Sequence, residues 1–123
     1  MPTSLELAQW AKKRVNINQD KGTEYKQLVK GLGAMIIQNG LLGTLLYLKA
    51  KSKPHHLAVM EDIFEFLKSK GVPNPQSLQF SEEKYLRLTS EGLEMNKWLR
   101  RYADILIESK DEGGRDDKRR RVQ

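Results

Sequence analysis

Cysteine is absent from the 123 residues. That excludes a disulfide framework, thiolate zinc sites and cysteine nucleophiles. It also suits a reducing cytoplasm, the compartment expected for this chain. Histidine is nearly absent: His55 and His56 are the only two, side by side. Neighbouring side chains on a helix point ~100° apart, and no cysteine or further histidine completes a ligand set. No metal and no other cofactor is therefore expected. No nucleophile–base constellation is visible, so the chain is not expected to be an enzyme. Gly31 and Gly33 fit neither a P-loop pattern nor a dinucleotide fingerprint following a strand. No basic region followed by an apolar run opens the chain, so no signal peptide is expected.

The chain is rich in charge. Charged residues make up 31% of it and hydrophobic residues 38%, which fits a small helical domain with long solvated faces. The net charge is +6 and unevenly spread. Residues 1–56 hold nine lysines and arginines against Glu6, Asp20 and Glu24, whereas the rest of the chain balances. An excess placed on the first helices favours a polyanionic partner, either nucleic acid or an acidic protein face.

The most apolar stretch runs from Tyr25 to Lys51. Tyr25, Leu28, Val29, Leu32 and Ile36 recur at helical spacing, and so do Leu41, Leu42, Leu45, Leu46 and Leu48. Asn39-Gly40 stands between the two sets. Glycine readily takes the left-handed conformation that ends a helix, so the pattern predicts a helix, a stop and a second helix folding back. One helix kinked at Asn39-Gly40 is the alternative. Lys30, Gln38, Asn39 and four glycines interrupt the run, which argues against a membrane span.

Around this hairpin the chain reads as further helices. Thr3 to Asp20 forms the first, with Thr3 and Glu6 as a capping box and Lys12, Lys13 and Arg14 as a basic cluster. Thr23 caps the next helix, in which Gly31 and Gly33 permit close helix–helix contact. After the hairpin come Lys49, Lys51 and Lys53, then Pro54-His55-His56, with no acidic neighbour. Leu57 to Lys70 follows, with Val59, Met60, Ile63, Phe64 and Leu67 on its apolar face and Glu61, Asp62 and Glu65 on the solvated one. A paired-carboxylate active site would need a cleft and a partner base there, and none is signalled. Gly71 to Pro75 is a stiff connection. Glu82 to Leu88 reads as a short helix, and Thr89 as the cap of a longer one reaching Ser109. Its Leu93, Trp98, Leu99, Tyr102, Ile105 and Leu106 form an apolar face, with Lys97, Arg100 and Arg101 among the aromatics. Interleaved basic and aromatic residues can hold a sugar-phosphate backbone, but Trp98 fits the core better. The arginines could equally meet Glu94, Asp104 or Glu108.

The expected fold is therefore all-α, a compact bundle of about five to six helices around a central apolar helical hairpin, Tyr25 to Lys51. Residues 1–109 form one helical domain, and 110–123 a charged, flexible C-terminal tail. The tail's Lys118 to Arg121 run could add nonspecific affinity for a polyanion or read as a nuclear-targeting signal.

Two segments resemble a known family. The first is Gln38-Asn39-Gly40-Leu41-Leu42 with Thr44-Leu45 and Leu48, between two apolar helices. The second is Tyr85-Leu86, Leu88-Thr89, Glu91, Leu93 and Trp98-Leu99-Arg100-Arg101-Tyr102-Ala103. In sequence, order and spacing the chain is similar to the small, all-helical subunit of the CRISPR Cmr (type III-B) RNA-guided effector complex. The basic tail departs from the usual family pattern and inherits no role.

The resemblance implies a non-catalytic subunit that stacks with further copies of itself beside the backbone and large subunits of the complex. Guide RNA threads the backbone, and target RNA pairs with it. The small subunit would line the RNA with basic residues. The candidate RNA-binding residues are Lys12, Lys13 and Arg14, then Lys49, Lys51 and Lys53, and lastly Lys97, Arg100 and Arg101. Only Arg100 and Arg101 lie in a matching motif; the others rest on charge clustering. Such contacts should address phosphates rather than base edges, because any target sequence must be held. The alternative is a helical scaffold whose basic face meets an acidic subunit, with RNA contact incidental.

Overall fold

A computed structural model describes residues 4–108. The chain forms four α-helices among the described residues: α1 (Ser4–Ile17), α2 (Gly22–Lys51), α3 (Pro54–Ser69) and α4 (Glu82–Leu106). Single 3₁₀ turns precede α2 and α4. Thr3 and the basic tail lie outside the described residues.

α2 is the axis of the bundle, packed against both α3 and α4, while α1 lies on α4. Thirty residues of straight helix would span ~45 Å. Yet the His55 imidazole, just past the end of α2, lies 3.8 Å from the Glu24 carboxylate near its start. The helix therefore doubles back. The reversal sits at Gly40, the one residue of α2 with non-helical dihedrals (φ 74°, ψ 171°). Only glycine occupies that region without strain. The two limbs, 22–39 and 41–51, make the hairpin that the Asn39-Gly40 signal predicts. Residues 19–51 are long and apolar enough in composition to cross a membrane. Broken at Gly40, the longer limb reaches only about 27 Å, short of the ~30 Å hydrocarbon thickness.

α4 runs antiparallel to the first limb over its whole length. Tyr85 meets Leu42 beside the break, and Gly92 faces Leu41. Farther along, Asn96 faces Gly33, and Asp104 reaches Lys26 and Lys30. Gly33 earns its place here: a Cβ on it would stand 3.2 Å from the Asn96 side-chain amide. In the orientation its neighbours require, that amide donates to the Val29 carbonyl and accepts from the Gly33 N–H, each at 3.2 Å. Gly31 faces open space and makes no such approach.

The core draws on every helix. Tyr25, Val29, Leu32 and Ile36 from the first limb meet Leu41, Leu45 and Leu48 from the second, all fully buried. Ala11 and Val15 close it from α1, Ile63 and Leu67 from α3, and Met95 and Leu99 from α4. Burying each large aliphatic contributes ~1.5–3 kcal/mol.

Two expectations need correction. The bundle has four helices rather than five to six. The two hairpin limbs follow one another across the Gly40 kink with no loop between them, and the short helix at Glu82 is continuous with the long one. Thr89 lies inside α4 instead of capping it, because Leu88 and Gly92 on either side pack inward. α3 also starts at Pro54, three residues before Leu57. Proline suits the first helical turn, where its missing N–H would have no partner anyway.

Candidate nucleic-acid interface

The basic residues singled out by the sequence fall on three separate elements. Lys49 and Lys51 end the second limb of α2, and Lys53 lies in the two-residue link before α3. All three are exposed. Ser52 makes the turn in the left-handed conformation (φ 55°), and its N–H closes on the Leu48 carbonyl at 3.1 Å. The Lys51 ammonium lies 5.7 Å from the centre of the Tyr47 ring. No described carboxylate pairs with Lys49, Lys51 or Lys53, whereas Lys26 and Lys30 share Asp104 at 4.0 and 3.6 Å.

Next to these lysines stand the two histidines. Their ring centres are 4.3 Å apart, and Tyr47 lies 5.8 Å from His56. His56 is 8% exposed, and its Nδ1 has no hydrogen-bond partner among the described residues. Burial lowers its pKa from 6.5, and the nearby charges of His55, Lys51 and Lys53 lower it further, against a raising effect of Glu24. Among the described residues no group of three His, Asp or Glu side chains is placed to hold a metal ion.

On α1, Lys12 and Lys13 are exposed and flank a shallow depression with Gln9, Asn16 and Ile17. Arg14 turns the other way. Its Nε lies 2.7 Å from Oδ1 of Asp62, and its side chain is 15% exposed. On α4, Lys97 pairs with Glu94 at 3.1 Å, and Arg101 lies 5.5 Å from the centre of the Trp98 ring. Arg100 is exposed and unpaired among the described residues. No described hydrogen bond, ion pair or ring contact links one of these clusters to another.

Asp62 was expected on the solvated acidic face, and the structure buries it completely. Besides Arg14 it accepts from the Tyr25 hydroxyl at 2.6 Å and from Asn18 Nδ2 at 3.2 and 3.4 Å. The knot ties α1, α2 and α3 together. Burial pushes the Asp62 carboxyl up from 3.8 to about 6, against the pull of Tyr25, Arg14 and Asn18. Burial, then the Asp62 charge, pushes Tyr25 well above the usual phenol range. The helical register carried the signal: Asp62 lies three residues after Val59 and four before Phe66, on the apolar face. Glu61 stays exposed, and Glu65 pairs with Lys68 at 3.6 Å.

Residues 3–106 match the family described as CRISPR-associated protein (Cas_Cmr5). The chain belongs to the Cmr5 family. One relative, the CRISPR system Cmr subunit Cmr5 of Thermotoga maritima, is 37% identical over 115 residues, covering 85% of this chain and 84% of that protein. The subunit of the same name from Thermus thermophilus is 30% identical over 87 residues, covering 69% and 76%. No solved structure matches. Membership in the Cmr5 family makes the chain a small subunit of a CRISPR Cmr complex. Its all-helical fold agrees with the resemblance carried by the Gln38–Leu48 and Tyr85–Ala103 segments.

Proposed function

We propose that this chain is a non-catalytic subunit of a Cmr effector, working in the cytoplasm in RNA-guided antiviral interference. It binds no cofactor. It stacks with copies of itself beside the backbone and large subunits and holds the phosphate backbone of guide or target RNA with exposed cations. Lys49, Lys51 and Lys53 form the principal contact, with Lys12 and Lys13 on α1 and Lys97, Arg100 and Arg101 on α4 as further contacts. Arg14 stays in the Asp62 knot.

One observation carries this reading. Three lysines around a two-residue link stand exposed with no described carboxylate paired to them, whereas Lys26, Lys30, Lys68 and Lys97 each have one. Unpaired cations on a rigid junction cost nothing to detach and suit sequence-independent phosphate contact.

Charge reversal at Lys49 and Lys51 tests it. Binding to single-stranded RNA and to a guide–target duplex is measured across a salt series. Each lost phosphate contact should lower the salt slope by about 0.7 for a single strand and 0.9 for a duplex. An unchanged slope removes these residues from the interface. The scaffold reading, in which the basic side meets an acidic subunit, is separated by crosslinking in a reconstituted complex. Direct crosslinks from RNA to this subunit exclude it.

A further inference from the structure

The start of α3 has an unfilled requirement that the lysines alone do not explain. The first amides of a helix have no intrahelical acceptor and are normally satisfied by a capping side chain or an acid in the first turn. Here the N-cap is Lys53, no side chain caps the helix, and the first turn holds no acid. Pro54 has no N–H to offer. The first hydrogen bond runs from the Leu57 N–H to the Lys53 carbonyl at 2.9 Å. The amides of His55 and His56 are therefore left without a described acceptor, at the positive end of a 16-residue helix dipole.

A second observation falls at the same place. His56 is more than nine-tenths buried, lacks a partner at Nδ1 and lies against His55 within reach of the Lys51 and Lys53 charges. Two amides and two nearby ammonium groups call for an anion, and the buried Nδ1 of His56 beside them lacks a hydrogen-bond partner. Among the described residues the one nearby carboxylate is Glu24, 76% exposed and paired with His55 alone at 3.8 Å, so it can swing aside.

We propose that the N-terminus of α3 is a phosphate-binding site, in which the backbone amides of His55 and His56 and the ammonium groups of Lys51 and Lys53 seat one phosphodiester of an RNA strand. The inference rests on the RNA reading above and sharpens it. The lysines supply charge, and the amides supply fixed direction. A strand crossing this point is held in register rather than attracted diffusely.

Amide NMR of the full chain at low salt tests the site, with inorganic phosphate and single-stranded RNA as separate probes. Both should move the His55 and His56 amide resonances. Lys53→Asp supplies an N-cap carboxylate that takes those amides itself, so it should raise Tm yet weaken phosphate binding about fivefold beyond Lys53→Gln. Equal phosphate binding by Lys53→Asp and Lys53→Gln would overturn the site. RNA binding that leaves both amides unmoved would also overturn it while sparing the RNA reading. Phosphate moving the amides with no RNA bound would support an anion site and overturn the RNA reading.

Discussion

The two ends of the bundle are held by opposite means. Near the start of α2, a buried carboxylate gathers α1, α2 and α3 through Arg14, Asn18 and Tyr25. At the reversal, Gly40 and Tyr85 hold α2 to α4 by shape. The Tyr85 hydroxyl accepts the Leu42 N–H at 2.8 Å, directly over the spot where a Cβ on Gly40 would lie, only 2.6 Å away. Thr44 finishes that end by donating to the Gly40 carbonyl at 2.9 Å. The first end depends on charge and responds to pH. The second depends on the absence of a side chain and does not. A single small bundle thus combines an electrostatic fastening with a steric one.

Removing the guanidinium should break the comparison most severely. Arg14→Ala leaves Asp62 buried without its cation, at a cost of about 3–5 kcal/mol. Urea unfolding reads the loss directly, and a cost under ~1 kcal/mol would mean that Tyr25 and Asn18 suffice for the charge.

The steric end is next. Gly40→Ala forces a side chain into a glycine-only conformation, at about 1–3 kcal/mol, and displaces Tyr85 as well. Tyr85→Phe alone should cost ~1 kcal/mol through the lost hydrogen bond. The double variant should cost less than the sum of the two, because the clash is with the hydroxyl. Strict additivity in denaturant melts would show that the two residues act independently.

A change of pH separates the two ends. Asp62 has a folded pKa of about 6 against an ordinary 3.8. The folded chain thus holds this proton more tightly than the unfolded chain. The contribution to stability is complete below pH ~4 and is lost as pH rises through about 6, a change on the order of 3 kcal/mol. Asp62→Asn should flatten that part of the stability curve, and Gly40→Ala should leave its shape intact. A curve of the same shape in Asp62→Asn would assign the titration elsewhere.

Much of this was legible in the sequence. The aliphatic spacing on both sides of Asn39-Gly40 located the hairpin, and the positive φ of Gly40 is the feature that the dipeptide foretold. Asp62 was misread because Glu61 and Glu65 flank it, so charge type outweighed helical register. Thr89 looked like a helix start, but the packing of Gly92 at 3.6 Å from Leu41 overrode that local preference. Lysine clusters show where charge is placed. They could not show that Arg14 turns inward, since its partner lies 48 residues away.

The antiparallel seam between α4 and the first limb of α2 has a consequence in time. Its contacts lengthen steadily in sequence, from Tyr85–Leu42 at a separation of 43 to Lys26–Ile107 at 81. Loop closure costs more for each longer separation, so docking should begin at the reversal and zip outward. Tyr85→Phe should then slow refolding, whereas Lys26→Met should mainly hasten unfolding. The reverse pattern in stopped-flow kinetics would place the nucleus at the other end. On this account a glycine and a tyrosine set where the chain starts to fold, and the lysine at the far end sets how long it stays folded.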